Sequence, residues 1–365
     1  MDNITSTRAI DKRRIGRFYI KKADLVMFLL LFTFIRQRTM QEFPGWLVSI
    51  YQYGGLIASS VIYIRFILDK SKMASTIRRL WPVGAIWIAY IVITLFIYPA
   101  KIAYTVSNCY LMLAIAIYID REVNHDALRL IKMLAFMYTT YVLINNILVL
   151  IFPGGFYQVA ESTFHKGHLL GDDNAIIFVA LPGMIFLALY SYMKRGRITR
   201  FAWFNIILCE LVLVILWSGS ALVCFAVFIV LAFIGVNVKR LSPNLQMIIF
   251  IVLMLIIFLG GTLPFIQYFI VNFLHKDVTF SSRSYMWAHA FSMFVQKPLF
   301  GYGGYFTVGM YQYGRYSYPV HTPYLQMLLD GGLFLVLLYF NALRTGYKAL
   351  QARMNSVQAQ IIAAE

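Results

Sequence analysis

The chain has 365 residues, of which 61% are hydrophobic and only 13% charged, and it carries a formal charge of +17 from 32 Lys and Arg against 15 Asp and Glu. Soluble domains are about 45–50% apolar, so this composition excludes an ordinary soluble enzyme, and a basic balance in a membrane chain bears first on orientation, not on nucleic acid. Cys109, Cys209 and Cys224 all lie in apolar runs, read as free thiols, and form neither a disulfide framework nor a metal-binding spacing.

Apolar runs bounded by charges, Pro or Gly predict ten spans, near 22–40, 46–67, 81–98, 102–119, 128–152, 174–193, 200–217, 219–236, 246–271 and 323–343. Only Leu25 to Ile35 is uninterrupted in the first, about 16 Å of helix against a hydrocarbon core of about 30 Å, so that span must extend through its flanking charges. Seven basic residues from Arg8 to Lys22 precede it, and with no small-residue cleavage site behind them the segment reads as a retained anchor. The link Pro99-Ala100-Lys101 makes the third and fourth spans an antiparallel pair.

With a cytoplasmic N-terminus, 24 basic residues fall in inner segments and 8 in outer ones, the latter being Arg36, Arg38, Lys101, Lys166, Lys276, Arg283, Lys297 and Arg315. That asymmetry places both termini inside. Two outer segments exceed a minimal hairpin: Pro153 to Asp173, and 272–322 between the ninth and tenth spans. The second is rich in Tyr and Trp, and Ser281 or Ser282 can cap a helix that Pro298 stops. Residues 1–343 read as a single membrane domain. Residues 344–365 read as a tail, or as the start of a further helix at Gln358.

The outer text carries the chemistry-bearing residues. Arg283 opens the helix on the side where cations are scarce, and a guanidinium there offers bidentate hydrogen bonds to a phosphate, or else meets a headgroup or a loop carboxylate. His321 lies between Pro319 and Pro323 at the start of the last span, where an imidazole serves as a general base or sits satisfied by a carbonyl. Asp330, followed by Gly331 and Gly332, falls within the last span, where a carboxylate needs a partner or a polar interior. His165, His168, Asp172 and Asp173 fit no strong metal spacing, and an aspartate here suits the cap of the sixth helix. The glycines of Gly301-Tyr302-Gly303-Gly304 read as turn punctuation, since no Walker lysine accompanies them. The outer tyrosines read either as an interfacial belt or as a sugar-stacking surface.

Arg283 with Trp287 and Ala288, then Pro298-Leu299-Phe300-Gly301-x-Gly303, then His321-x-x-Tyr324-Leu325-Gln326 and Gly331-Gly332, in this order, resemble the O-antigen ligase and Wzy-type polysaccharide polymerase superfamily. Gly171-Asp172-Asp173-Asn174-Ala175 is similar to that family's Asn-containing helix start. The resemblance implies an all-α polytopic fold of about ten transmembrane helices, like a C-type membrane glycosyltransferase, in the bacterial cytoplasmic membrane. It implies metal-independent, cofactor-free transfer of a polyprenyl-pyrophosphate-linked oligosaccharide on the outer face. The partners it suggests are that glycan, membrane lipid, and a flippase and chain-length regulator of the same pathway, with no nucleic acid.

On that resemblance His321 is the base that deprotonates the acceptor and Arg283 a pyrophosphate ligand. Where relatives carry Ser-Arg-Gly near the eighth span, this chain has Ser218-Gly219-Ser220, so a second cation must come from Arg36, Arg38, Lys101, Lys166 or Arg315. Tyr302, Tyr324, Gln326, Asp172 and Asn174 are the expected glycan-binding or supporting residues. The same residues suit a repeat-unit polymerase and a ligase that hands finished glycan to a lipid or wall acceptor. A flippase or transporter ranks third, because it calls for charges along a path or paired broken helices, whereas only Glu210 and Asp330 lie well within spans.

Overall fold

A computed structural model describes residues 22–35, 44–158, 166–172, 175–237, 283–312, 315–318, 320 and 323–351, with isolated positions between 248 and 272. The helices are α1 (Lys22–Phe34), α2 (Gly45–Leu68), α3 (Lys70–Ile97), α4 (Ile102–Ile151), α5 (Ile177–Arg195), α6 (Arg200–Leu216), α7 (Gly219–Asn237), α8 (Arg283–Gln296) and α9 (Pro323–Gln351). Strands β1 (Tyr157–Gln158), β2 (Lys166–His168) and β3 (Gly171–Asp172) form one antiparallel sheet, and β4 (Val308–Gln312) pairs with β5 (Arg315–Tyr318) in a hairpin. Among the described residues five helical stretches are long and apolar enough to cross a membrane: Gly45–Leu68, Lys70–Ile97, Pro99–Ile151, Ile177–Arg195 and Pro323–Ala349. The chain is a multi-pass membrane protein. The expected span at 246–271 lies almost wholly outside the described residues.

Three expectations change in detail. The segment Arg65 to Arg79, read as an inner connection, is helical on both sides of a single interrupting residue, Asp69 (φ −90°, ψ 67°). Its charges are spaced for a solvated helix face, which a search for apolar runs passes over. The fourth and fifth spans follow without a loop as the two helical halves of α4, which meet at a kink at Asp126 (φ −156°, ψ 83°) and share one apolar core through Ile117, Tyr118, Leu130 and Leu134. The last span is also broken, at Gly332, where φ +62° and ψ −161° suit only glycine.

Ion pairs close one end of the bundle around α4. Asp24 of α1 accepts from Arg129 at 2.7 Å, Asp69 from Arg121 at 2.9 Å, and Asp120 takes both Nε and Nη2 of Arg79 at 2.8 Å. Such partly exposed pairs contribute about 0–1 kcal/mol each, so their role is register more than stability. The Asp69 carboxyl is held below its ordinary range, first by the Ser71 hydroxyl and then by Arg121 and Lys72. Because α5 runs back along the second half of α4, with Gly183 against Tyr138 and Val142, the α5–α6 hairpin returns to this end. All of these were expected as inner segments.

The apolar cores follow the helix order. Met27, Leu31, Ile62 and Leu130 join α1, α2 and α4, while Val142, Met184, Ile206 and Phe225 join α4 to α7. At the opposite end Ala89, Tyr90, Cys109 and Leu335 pack α3, α4 and α9 together. Next to them Ala290, Val308, Val320, Leu325 and Leu329 seat α8 and the β4–β5 hairpin on α9.

Candidate active site

Residues 297–307 connect α8 to β4, and 297–303 are inserted into the break in α9. Tyr302 and Gly303 donate their backbone N–H groups to the carbonyls of Leu329 (2.6 Å) and Asp330 (3.0 Å), while Leu333 and Phe334 donate theirs to Pro298 (2.8 Å) and Leu299 (3.2 Å). The groups freed by breaking a helix in a membrane are thus satisfied by neighbouring backbone. At Gly303 (φ +92°) a Cβ would stand 2.7 Å from the Cβ of Tyr98. The glycine run therefore serves close packing, as expected of turn punctuation.

The partner that Asp330 requires is this loop together with α3. The Asp330 side chain is buried; its Oδ2 accepts from Tyr90 Oη at 2.7 Å, and its Oδ1 from the Phe306 N–H at 3.0 Å and Gln326 Nε2 at 2.8 Å. Tyr90 Oη in turn accepts from the Tyr305 N–H at 3.1 Å, and Thr94 Oγ1 from the Gly304 N–H at 2.9 Å. A buried carboxylate holding three donors is retained at a cost that only a complete network offsets.

Tyr305 has φ +59°, left-handed backbone that costs an aromatic residue about 1–2 kcal/mol. Its ring is held edge-on against Tyr90 at 5.9 Å and Tyr104 at 4.5 Å. Burial first, then Tyr104, Cys109 and Asp330, push its phenol up to about 12, so it packs as a neutral group.

The network extends to Val320, which precedes the expected base in the chain. Gln326, expected as a supporting residue, accepts at Oε1 from the Val320 N–H at 3.2 Å and donates at Nε2 to the Phe306 carbonyl at 2.7 Å. Trp287 Nε1 donates to the Val320 carbonyl at 3.0 Å. Val320 is fully buried, and the peptide unit that follows it leads into His321. Trp287 lies one helical turn beyond Arg283, the first residue of α8.

His321 itself lies outside the described residues, as do Arg36, Arg38, Asn174, His165, Asp173, Ser281 and Ser282, and so do the side chains of Arg283 and Arg315. Arg315 is placed by its backbone alone, on β5 opposite Gln312. Tyr302 takes a supporting position: its hydroxyl donates to the Met293 carbonyl at 2.9 Å, its ring stacks on Phe306 at 4.5 Å, and Lys297 Nζ stands 4.7 Å from the ring. Tyr324, in the first turn of α9, meets Tyr339 edge-on at 6.1 Å.

Lys166 and Asp172 belong to the β1–β3 sheet, which rests on α4 through the Leu170 N–H to Asn145 Oδ1 bond of 3.1 Å, whereas the Asp330 cluster is built on α3 and α9. Lys166 Nζ is exposed and donates to the Pro153 carbonyl at 3.3 Å. Asp172 caps the turn leading into α5, with Oδ1 accepting from the Ala175 N–H at 2.7 Å, close to its expected role as helix cap. Among the described residues no three of His, Cys, Asp and Glu gather as a metal-binding group. The turn between α6 and α7 carries buried Ser218.

Sequence reasoning missed Tyr90 and Thr94, polar positions in an otherwise apolar helix far away along the chain; their i, i+4 spacing in such a run is the only signal they leave. Neither curated proteins nor solved structures show a match. Residues 203–340 match the family model described as O-antigen ligase, so this segment is similar to the superfamily that the last third of the sequence resembles.

Proposed function

We propose that the protein transfers a polyprenyl-pyrophosphate-linked oligosaccharide to a sugar hydroxyl at the outer face of the bacterial cytoplasmic membrane, and does so as a repeat-unit polymerase. The acceptor oxygen attacks the anomeric carbon, the bond from that carbon to the pyrophosphate oxygen breaks, and the pyrophosphate departs on its polyprenol. His321 takes the hydroxyl proton. Arg283 stabilises the charge that grows on the leaving pyrophosphate, an effect stronger in a site of low dielectric than in water. Arg315, Lys166, Arg36 and Arg38 are candidates for the second cation. Lys166 is exposed and faces no carboxylate among the described residues.

The observation that carries this reading is the clamp on Val320. Trp287 and Gln326 hold the carbonyl and the N–H of Val320, so the residue that precedes His321 in the chain is tied to the helix that begins at Arg283. Glycan transfer is also supported over transport by the family match, and by the break in α9 being filled with loop backbone instead of open carbonyls. A ligase is the second reading, favoured by the similarity of residues 203–340 to the O-antigen ligase family.

His321→Ala and Arg283→Ala should each abolish product while lipid-linked donor accumulates. In a deletion strain, single-repeat glycans identify a polymerase and intact polymer retained on the lipid carrier identifies a ligase. Normal long-chain product from either variant overturns the assignment.

A further inference from the structure

At the end of the bundle away from Asp330, the α5–α6 hairpin forms a half-open cleft of about 710 Å³ lined by Lys194, Arg195, Arg197 and Arg200 together with Tyr190 and Thr199. Arg79, Arg121 and Arg129 at the same end each hold an aspartate, but no carboxylate among the described residues lies within ion-pair distance of the four hairpin cations. Lys194 only donates to the Tyr190 hydroxyl, at 3.3 Å.

The hairpin is tied rather than loose. Ser191 Oγ accepts from the Thr199 N–H at 2.7 Å and donates to the Arg197 carbonyl at 3.2 Å, and Gly196 ends α5 in left-handed conformation. Thr199 caps α6 through the Ala202 N–H, which leaves the N–H groups of Arg200 and Phe201 at an open helix N-terminus, favourable to an anion. From this mouth an exposed apolar stripe runs up α6 through Phe201, Phe204, Ile207 and Leu211.

We propose that the hairpin binds the phosphate headgroup of an anionic glycerophospholipid, whose acyl chains lie along that stripe. An orientation signal requires only the four charges. The cleft, the tied turn and the helix N-terminus are what a phosphate diester requires beyond charge, and arginine forks match its oxygens two at a time. A basic mouth continuous with an apolar stripe selects a lipid over a soluble phosphate. The proposal is independent of glycan transfer.

The test uses the full chain purified in zwitterionic detergent and titrated with phosphatidylglycerol, phosphatidylcholine or inorganic phosphate, with bound ligand read by native mass spectrometry. Phosphatidylglycerol should bind in preference to phosphatidylcholine, Arg197→Gln should weaken it about fivefold, and the triple variant R195Q/R197Q/R200Q about a hundredfold, at about 1 kcal/mol per cation. Lys70→Gln, Lys72→Gln and Arg78→Gln together remove as many charges and should leave binding unchanged. Equal loss in both triple variants means diffuse surface charge and overturns the proposal. So does equal retention of the two lipids, or inorganic phosphate binding as tightly as phosphatidylglycerol. Melting temperatures in lipid-free detergent identify any variant that fails to fold, and R197Q alone then decides.

Discussion

Tyr90 in α3 and Asp330 in α9 stand 240 positions apart in the chain and meet in a 2.7 Å hydrogen bond between hydroxyl and carboxylate. Each also holds the loop between α8 and β4, Tyr90 through the Tyr305 N–H and Asp330 through the Phe306 N–H. Losing either partner therefore strands the others. Tyr90→Phe should cost about 2 kcal/mol and Asp330→Ala about 3 kcal/mol or more, since the latter leaves the Tyr90 hydroxyl and the Phe306 N–H without the acceptor they share. Asp330→Asn should cost less than Asp330→Ala. Thermal melting of the detergent-purified protein ranks the variants, and the double variant should lose clearly less than the sum of its parts. Strictly additive losses would contradict a shared network.

The helices were legible because hydrocarbon-length apolar runs leave few alternatives. The predicted 46–67 and 200–217 fall within a residue or so of α2 and α6. Asp330 was legible as a group in need of a partner, for the physical reason that a lone carboxylate is costly in a bilayer. What it pairs with was not, since Tyr90 sits in a run whose composition says nothing about distant neighbours. The insertion of 297–303 into α9 was also hidden: Gly331-Gly332 announces a backbone that can bend, but not what fills the bend.

Asp126 separates the two halves of α4, and its Oδ1 accepts the Arg129 N–H at 2.9 Å, which makes it the N-cap of the second half. Asp126→Ala should cost about 1 kcal/mol, while Asp126→Ser or Asp126→Asn keeps an acceptor and most of the stability. Melting of the three variants at neutral pH checks the order. Alanine matching serine would mean that the cap contributes nothing.

Two glycines within apolar helices should respond in opposite directions. At Gly332 the left-handed φ is unfavourable to alanine, and a Cβ would collide with the carbonyl of Leu299, so Gly332→Ala should unseat the 297–303 loop and severely reduce yield of folded protein. Gly84 lies in regular α3 helix with nothing within 4 Å of its would-be Cβ. Gly84→Ala should leave stability unchanged or raise it by up to about 1 kcal/mol. Melting and size-exclusion profiles compare them directly; similar behaviour of the two variants would refute the assigned break.

Trp287 and Gln326 both hold Val320, so their variants should separate positioning from folding. Trp287→Phe keeps an aromatic ring but loses the N–H that meets the Val320 carbonyl, and Gln326→Met keeps the length but loses the three amide contacts to Val320, Phe306 and Asp330. If these bonds fix the backbone entering His321, each variant should lower kcat about tenfold or more at nearly unchanged KM, because donor and acceptor binding rest on other groups. The pH profile of the residual activity should keep the shape of the parent's, since the titrating imidazole is displaced, not replaced. His321→Ala, by contrast, should lose the limb of that profile that reports the base. A matched fall in folded yield and activity for Trp287→Phe and Gln326→Met would instead assign both residues to the core around Val320 alone.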